Sequence, residues 1–96
     1  MNQKFEWDAV KAASNFAKHR IRFESAIRVF ADPFLYMQQN RIENGEWRWQ
    51  SIGMLDGQCV ILVARTVREQ DGSEVIRIIS ARKAEPKERK RYEQQL

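Results

Sequence analysis

Cysteine, glycine and proline are scarce in this chain of 96 residues: one Cys, four Gly and two Pro. The lone Cys59 excludes an internal disulfide and a four-cysteine zinc site, and it suits a reducing compartment. With only one histidine besides, the usual zinc ligand sets are out of reach. Scarce glycine and proline exclude collagen-like and low-complexity chains. No apolar run approaches the roughly 20 residues of a membrane-spanning helix. The opening Met1 to Asp8 places acids where a secretion signal needs an apolar stretch. There is no glycine-rich phosphate loop, no dinucleotide fingerprint and no GxSxG elbow. Acids are scattered singly, which gives a two-metal carboxylate cluster little support. These absences predict a cytoplasmic protein with no cofactor, no metal site and no membrane contact.

What is present fits one domain over residues 1–96. Ten aromatic residues (three Trp, two Tyr, five Phe) give a core something to bury, which argues against disorder. The net charge of +4 is gathered at one end. Residues 82–91, RKAEPKERKR, hold six basic residues and two acids, so the rest of the chain is neutral overall. A basic end suits a polyanionic or acidic partner, although a solvated terminal helix has the same composition.

The residue pattern changes period along the chain. Lys4 to Trp7 alternates and reads as a short strand. Asp8 then caps a helix, AVKAASNFAKH, whose Val10, Ala13, Phe16 and Ala17 form an apolar stripe at helical spacing. A second helix is predicted from Phe23 to Ala31, ended by Asp32-Pro33. Phe34 to Gln39 reads as a strand before the Asn44-Gly45 turn. Glu46 to Leu55 puts Trp47 and Trp49 on one face, Arg48 and Gln50 on the other. Asp56-Gly57 is a type I′ hairpin signal, and Cys59 to Ala64 is apolar on both faces, as in a central strand. Asp71-Gly72 turns the chain again into Val75 to Ala81, and Glu85-Pro86 opens a last helix. The predicted fold is α+β, with N-terminal helices packed on an antiparallel sheet of about four strands and a C-terminal helix.

Arginine stands out in and around the strands, at Arg48, Arg65, Arg68, Arg77 and Arg82. Its planar fork matches phosphate oxygens, so a sheet face carrying several guanidinium groups would bind phosphate. Parity tests this. Arg77 and Arg82 are an odd number of residues apart and point opposite ways unless a bulge intervenes. His19, at a helix end, Cys59 and the two tryptophans all have plain packing explanations.

Together these residues resemble a family. Phe5, Trp7 and Asp8, then Lys11, Asn15 and Lys18-His19, are similar to the opening of the BrnT-type toxins of bacterial toxin–antitoxin pairs. Phe23, Glu24 and Ala26 continue the likeness, as does VFADP from Val29 to Pro33. Glu46, Arg48 and Ile52-Gly53 resemble the family's E-x-R and I-G segments, and Thr66 with Arg68 its T-x-R. The block Arg77 to Arg82, RIISAR, resembles its signature, followed by Ala84 and by E-R-x-x-Y at Glu88, Arg89 and Tyr92. Arg20 stands where the family usually has glycine, and Arg65 where it commonly has an aromatic.

The resemblance implies a RelE/ParE-like fold and an endoribonuclease that arrests growth. It also implies a cognate antitoxin, BrnA-like and DNA-binding, whose complex with the toxin occupies operator DNA. On that reading RNA is cut without metal by attack of its own 2′-hydroxyl. Arg77 and Arg82 then hold the phosphate, Arg48 and Arg68 support them, and Glu46 is the base. Arg65, Lys83, Lys87 and Tyr92 complete the expected RNA contacts. Two rival readings use the same residues: a non-catalytic module binding nucleic acid or protein, and a ParE-like poison of another target.

Overall fold

Asp8 sets the first boundary in the chain. Its Oδ1 accepts hydrogen bonds from the N–H groups of Val10 (2.8 Å) and Lys11 (3.2 Å) and caps α1, Ala9–His19. The computed structural model describes residues 3–96, and every side chain there except that of Glu43. Before α1 runs β1, Gln3–Glu6; after it come α2, Phe23–Ala26, and a 3₁₀ turn over Ile27–Ala31. The single predicted second helix is thus two short pieces, because five of its nine residues tighten into the 3₁₀ turn before Asp32-Pro33. Four strands follow: β2 (Tyr36–Glu43), β3 (Glu46–Leu55), β4 (Cys59–Gln70) and β5 (Ser73–Lys83), then α3, Pro86–Glu93. Their three hairpin turns, Asn44-Gly45, Asp56-Gly57 and Asp71-Gly72, each place both residues at positive φ, the type I′ geometry that matches strand twist.

The expectation of four antiparallel strands is corrected. The sheet has five strands in the order β1-β5-β4-β3-β2, and β1 lies parallel to β5, from Gln3 opposite Glu74 to Glu6 opposite Arg77. The sheet is therefore mixed. β4 also runs six residues past the apolar segment that marked it, because pairing with strands on both sides satisfies its backbone whatever its side chains.

One face of the sheet carries α1, α2 and the 3₁₀ turn. Ile61, Val63, Ile76, Ile78 and Ala81 are buried there against Phe23, Ala26 and Val29. Gly53 permits the close approach: a Cβ there would meet Leu35 Cδ1 at 2.9 Å and Val29 Cβ at 3.1 Å. The stripe predicted to face inward on α1 is corrected as well. Val10 is 78% exposed, and the buried residue is Asn15. Its Nδ2 donates to the carbonyls of Ala81 (2.9 Å) and Ile21 (3.1 Å), while its Oδ1 accepts from the Ala81 N–H (3.1 Å). Asn15 thereby pairs with β5 beyond the point where β1 stops.

α3 packs on the other face, at one end. Tyr92 is buried with Ile52 and Leu62, and its hydroxyl donates to Asp32 Oδ2 at 2.5 Å. A capping box between Glu85 and Glu88 starts the helix, with Pro86 in its first turn.

Candidate functional site

The rest of that second face is polar, and a bulge assembles it. Ala64 lies opposite Ser80, but Arg65 lies opposite Ile78, so Ile79 is the extra residue in β5. Arg77 and Arg82 consequently sit opposite Thr66 and Leu62, an even step apart on β4, and share one face. The parity problem is resolved by the bulge. Arg48 on β3 lies opposite Thr66 and joins them, as do Arg68 and Glu46. All five residues proposed as catalytic are brought to one sheet face.

These cations are not bare. Glu6 on β1 accepts from Arg68 Nη1 (2.9 Å) and Nη2 (3.1 Å) and from Arg77 Nη1 (2.9 Å). Arg68 also lies 3.8 Å from Glu46. Arg82 Nη1 and Nη2 hold Glu88 at 2.8 and 2.9 Å, with Glu85 at 3.5 Å. The hydrogen bond from Arg68, joined by that from Arg77, keeps the Glu6 carboxyl below its usual range despite partial burial. Glu88 is lowered in the same way, first by Arg82. The face is a lattice of arginines bridged by carboxylates.

At its centre is Thr66, between Arg48 on one neighbouring strand and Arg77 on the other. It is 6% exposed, and its hydroxyl has no hydrogen-bond partner among the described residues. An orphaned buried hydroxyl is uncommon. Along the free edge of β5, Lys11, Lys18 and His19 of α1 line a cavity of about 230 Å³ with Ser80.

The four residues expected to complete the RNA contacts lie elsewhere. Arg65 is on the opposite face, buried, because its neighbours in β4 alternate with it. Lys83 lines a separate cavity of about 390 Å³ with Cys59 and Arg89. Lys87 is exposed on α3. The Tyr92 hydroxyl is raised to about 12 by burial and by Asp32, and its ring packs in the sheet–helix seam. Tyr92 ties α3 to Asp32 at the end of the 3₁₀ turn, so its hydroxyl is engaged within the fold rather than on the arginine face. Trp47 and Trp49 also face away from the arginines, on the side of Arg65. Sequence reasoning gave no site role to Glu6, nor to Thr66 and Glu88, although the last two lie in the motifs that carry the resemblance. Alternation with Phe5 and Trp7 already set Glu6 on a polar face, but its partner strand lies some 70 residues away.

Residues 7–88 match the family model for the ribonuclease toxin, BrnT, of type II toxin–antitoxin systems. The fold is similar to the 1.1 Å crystal structure of the Brucella abortus ribonuclease toxin, BrnT. The TM-score is 0.61 and identity 26%, over 88% of this chain and 99% of that one. No curated relative matches the chain. With the family model matched over residues 7–88, the chain belongs to the BrnT family of ribonuclease toxins of type II toxin–antitoxin systems.

Proposed function

We propose that this chain is a cytoplasmic endoribonuclease toxin that cuts single-stranded RNA on the arginine face without metal, and that a cognate antitoxin neutralises it. The observation that carries the reading is the shared sheet face of Arg48, Arg68, Arg77 and Arg82, with Thr66 between Arg48 and Arg77. The scissile phosphate takes the place of the Glu6 carboxylate on Arg68 and Arg77, with Thr66 donating to one of its oxygens, and a neighbouring phosphate takes the place of Glu88 on Arg82. Glu46 takes the proton from the ribose 2′-hydroxyl. The 2′ oxygen bonds to phosphorus, the bond from phosphorus to the 5′ oxygen breaks, and water on the open face returns a proton to that oxygen. Guanidinium groups stabilise the charge that develops on the phosphate. Lys11 and Lys18 extend the cationic track past Ser80.

The test is RNA cleavage by the purified chain in EDTA, with analysis of product ends. Cleavage should persist and leave a 2′,3′-cyclic phosphate; a 5′-phosphate product refutes internal attack. Arg77→Ala and Arg82→Ala should each lose about 100-fold or more in rate. Arg82→Lys, which keeps a cation for Glu88, separates loss of function from loss of α3. Folded variants cutting at the parental rate remove these residues from the reaction.

A further inference from the structure

α1 lies along the part of β5 that β1 leaves uncovered, and Asn15 fixes it there by taking up the N–H and carbonyl of Ala81. Lys11 stands one helical turn before Asn15 and Lys18 one turn after it, so one helix face carries all three. Between that face and the bulge of β5 is the cavity of about 230 Å³, lined also by Ser14, His19 and Ser80. Ser80 lies opposite Ala64 and shares the face of Arg77 and Arg82, so the cavity adjoins the arginine face at the edge of the sheet.

Its charge sets this crevice apart. Each of the four larger cavities carries a carboxylate: Glu93, Glu74, Glu6 with Asp71, and Glu24. This one carries two lysines and an imidazole, and no acid lines it. No carboxylate among the described residues forms an ion pair with Lys11, Lys18 or His19. Arg68, Arg77 and Arg82, by contrast, each hold one. Asp8 acts on both Lys11 and Arg77, which puts crevice and arginine face within reach of a single carboxylate. That carboxylate accepts from the N–H groups of Val10 and Lys11 and stands outside the cavity lining.

Cations gathered in a small polar hollow without counter-charges attract anions. Lysine meets phosphate as a point charge, and His19 and Ser80 add N–H and O–H donors. Ile79 is the one large apolar side chain in the lining, so a protein segment has little to bury there, whereas a phosphodiester needs only charge and donors. We propose that the crevice between α1 and the β5 bulge is a phosphate site of its own, separate from the positions on Arg77 and Arg82, at which the RNA strand leaves the arginine face over the edge of the sheet. It rests on the reading of that face as an RNA site, and it makes the substrate a strand rather than a dinucleotide.

The experiment uses the full chain with Lys11→Gln and Lys18→Gln combined, at exposed helix positions where glutamine is about as favourable as lysine. Lys11→Arg with Lys18→Arg retains both cations. kcat/KM is measured for a decanucleotide and for a dinucleotide, whose single phosphate fills only the scissile position. In the glutamine variant the ratio of the two should fall about five- to tenfold, as expected of two exposed cation contacts, while the arginine variant keeps the parental ratio. With 2′-deoxy-substituted, uncleavable RNA the salt dependence of log K should flatten by about 0.7, the share of one phosphate on a single strand. An unchanged ratio and salt slope in the glutamine variant overturn the proposal. An equal loss on both substrates overturns it too, because the lysines would then serve the scissile position. Loss of antitoxin affinity with both RNA readouts at parental values would assign the crevice to a protein partner and equally overturn it. If the parent binds the uncleavable RNA but cuts none, and the glutamine variant still flattens the salt slope, the nuclease reading falls and the phosphate site stands.

Discussion

Replacing Glu6 by Gln separates the two tasks of the arginine face. Glu6 joins Arg68 and Arg77 through three hydrogen bonds, with the three side chains 34–40% exposed. Pairs this open to solvent contribute about 0.2–1 kcal/mol each, so breaking both should cost about 1 kcal/mol. For a domain of this size that lowers Tm by about 4–8 °C. The loss should also depend on pH with a definite sign. The Glu6 pKa lies below 4.5 in the folded state, so its contribution is complete above that value and disappears as pH falls through the lowered pKa. Urea unfolding at neutral pH should therefore separate parent from Glu6→Gln, and the two curves should converge in acid. Function should move the other way. Two guanidinium forks are released, and for single-stranded RNA each newly engaged phosphate steepens the salt dependence of log K by about 0.7. Fluorescence anisotropy with a 2′-deoxy-substituted, uncleavable RNA across a potassium chloride series reads this directly. The variant should bind more tightly and with the steeper slope. An unchanged slope and affinity would mean that Arg68 and Arg77 serve the fold alone. Tighter binding with a 100-fold loss of cleavage would transfer the role of base from Glu46 to Glu6.

Three further substitutions test other links. Thr66→Val removes a hydroxyl that has no partner, so stability by urea unfolding should stay within about 1 kcal/mol of the parent or rise, while cleavage falls about tenfold. Parental cleavage by that variant would detach Thr66 from the site. Arg20→Gly relieves a left-handed residue at φ 61° and should raise stability by about 0.5–1 kcal/mol, because Arg22 still covers the Phe16 ring at 4.6 Å. A lower melting temperature for Arg20→Gly would mean that the Arg20–Phe16 contact outweighs the strain. Asn15→Ala leaves two carbonyls and one N–H of Ile21 and Ala81 without partners in a buried seam and should cost about 3–5 kcal/mol. A loss under about 1 kcal/mol would show that water replaces Asn15 there.

Much of the local structure was written in the sequence, because local structure depends on neighbours in the chain. Asp8 caps the helix it precedes, the three type I′ turns follow from Asn-Gly and Asp-Gly, and Pro86 starts the last helix. Alternation in β3 separated Arg48 from Trp47 and Trp49 correctly. The ordered blocks ending in RIISAR identified the family, which the matched span from 7 to 88 bears out. What pairing between distant segments decides was not legible. β1 adds a fifth strand, parallel to β5, only because the intervening chain carries it across the sheet, and that crossing brings Glu6 to Arg68 and Arg77. The inward face of α1 was misread because a polar residue, Asn15, gains three hydrogen bonds at a sheet edge that periodicity does not reveal. Arg65 and Arg68 look alike in sequence, yet an odd step along β4 sends one into an aromatic cleft and the other onto the face shared with Arg77 and Arg82. A single extra residue, Ile79, brings Arg77 and Arg82 to the same side. Composition and spacing determine which elements form; register, a property of two strands at once, decides which side chains meet.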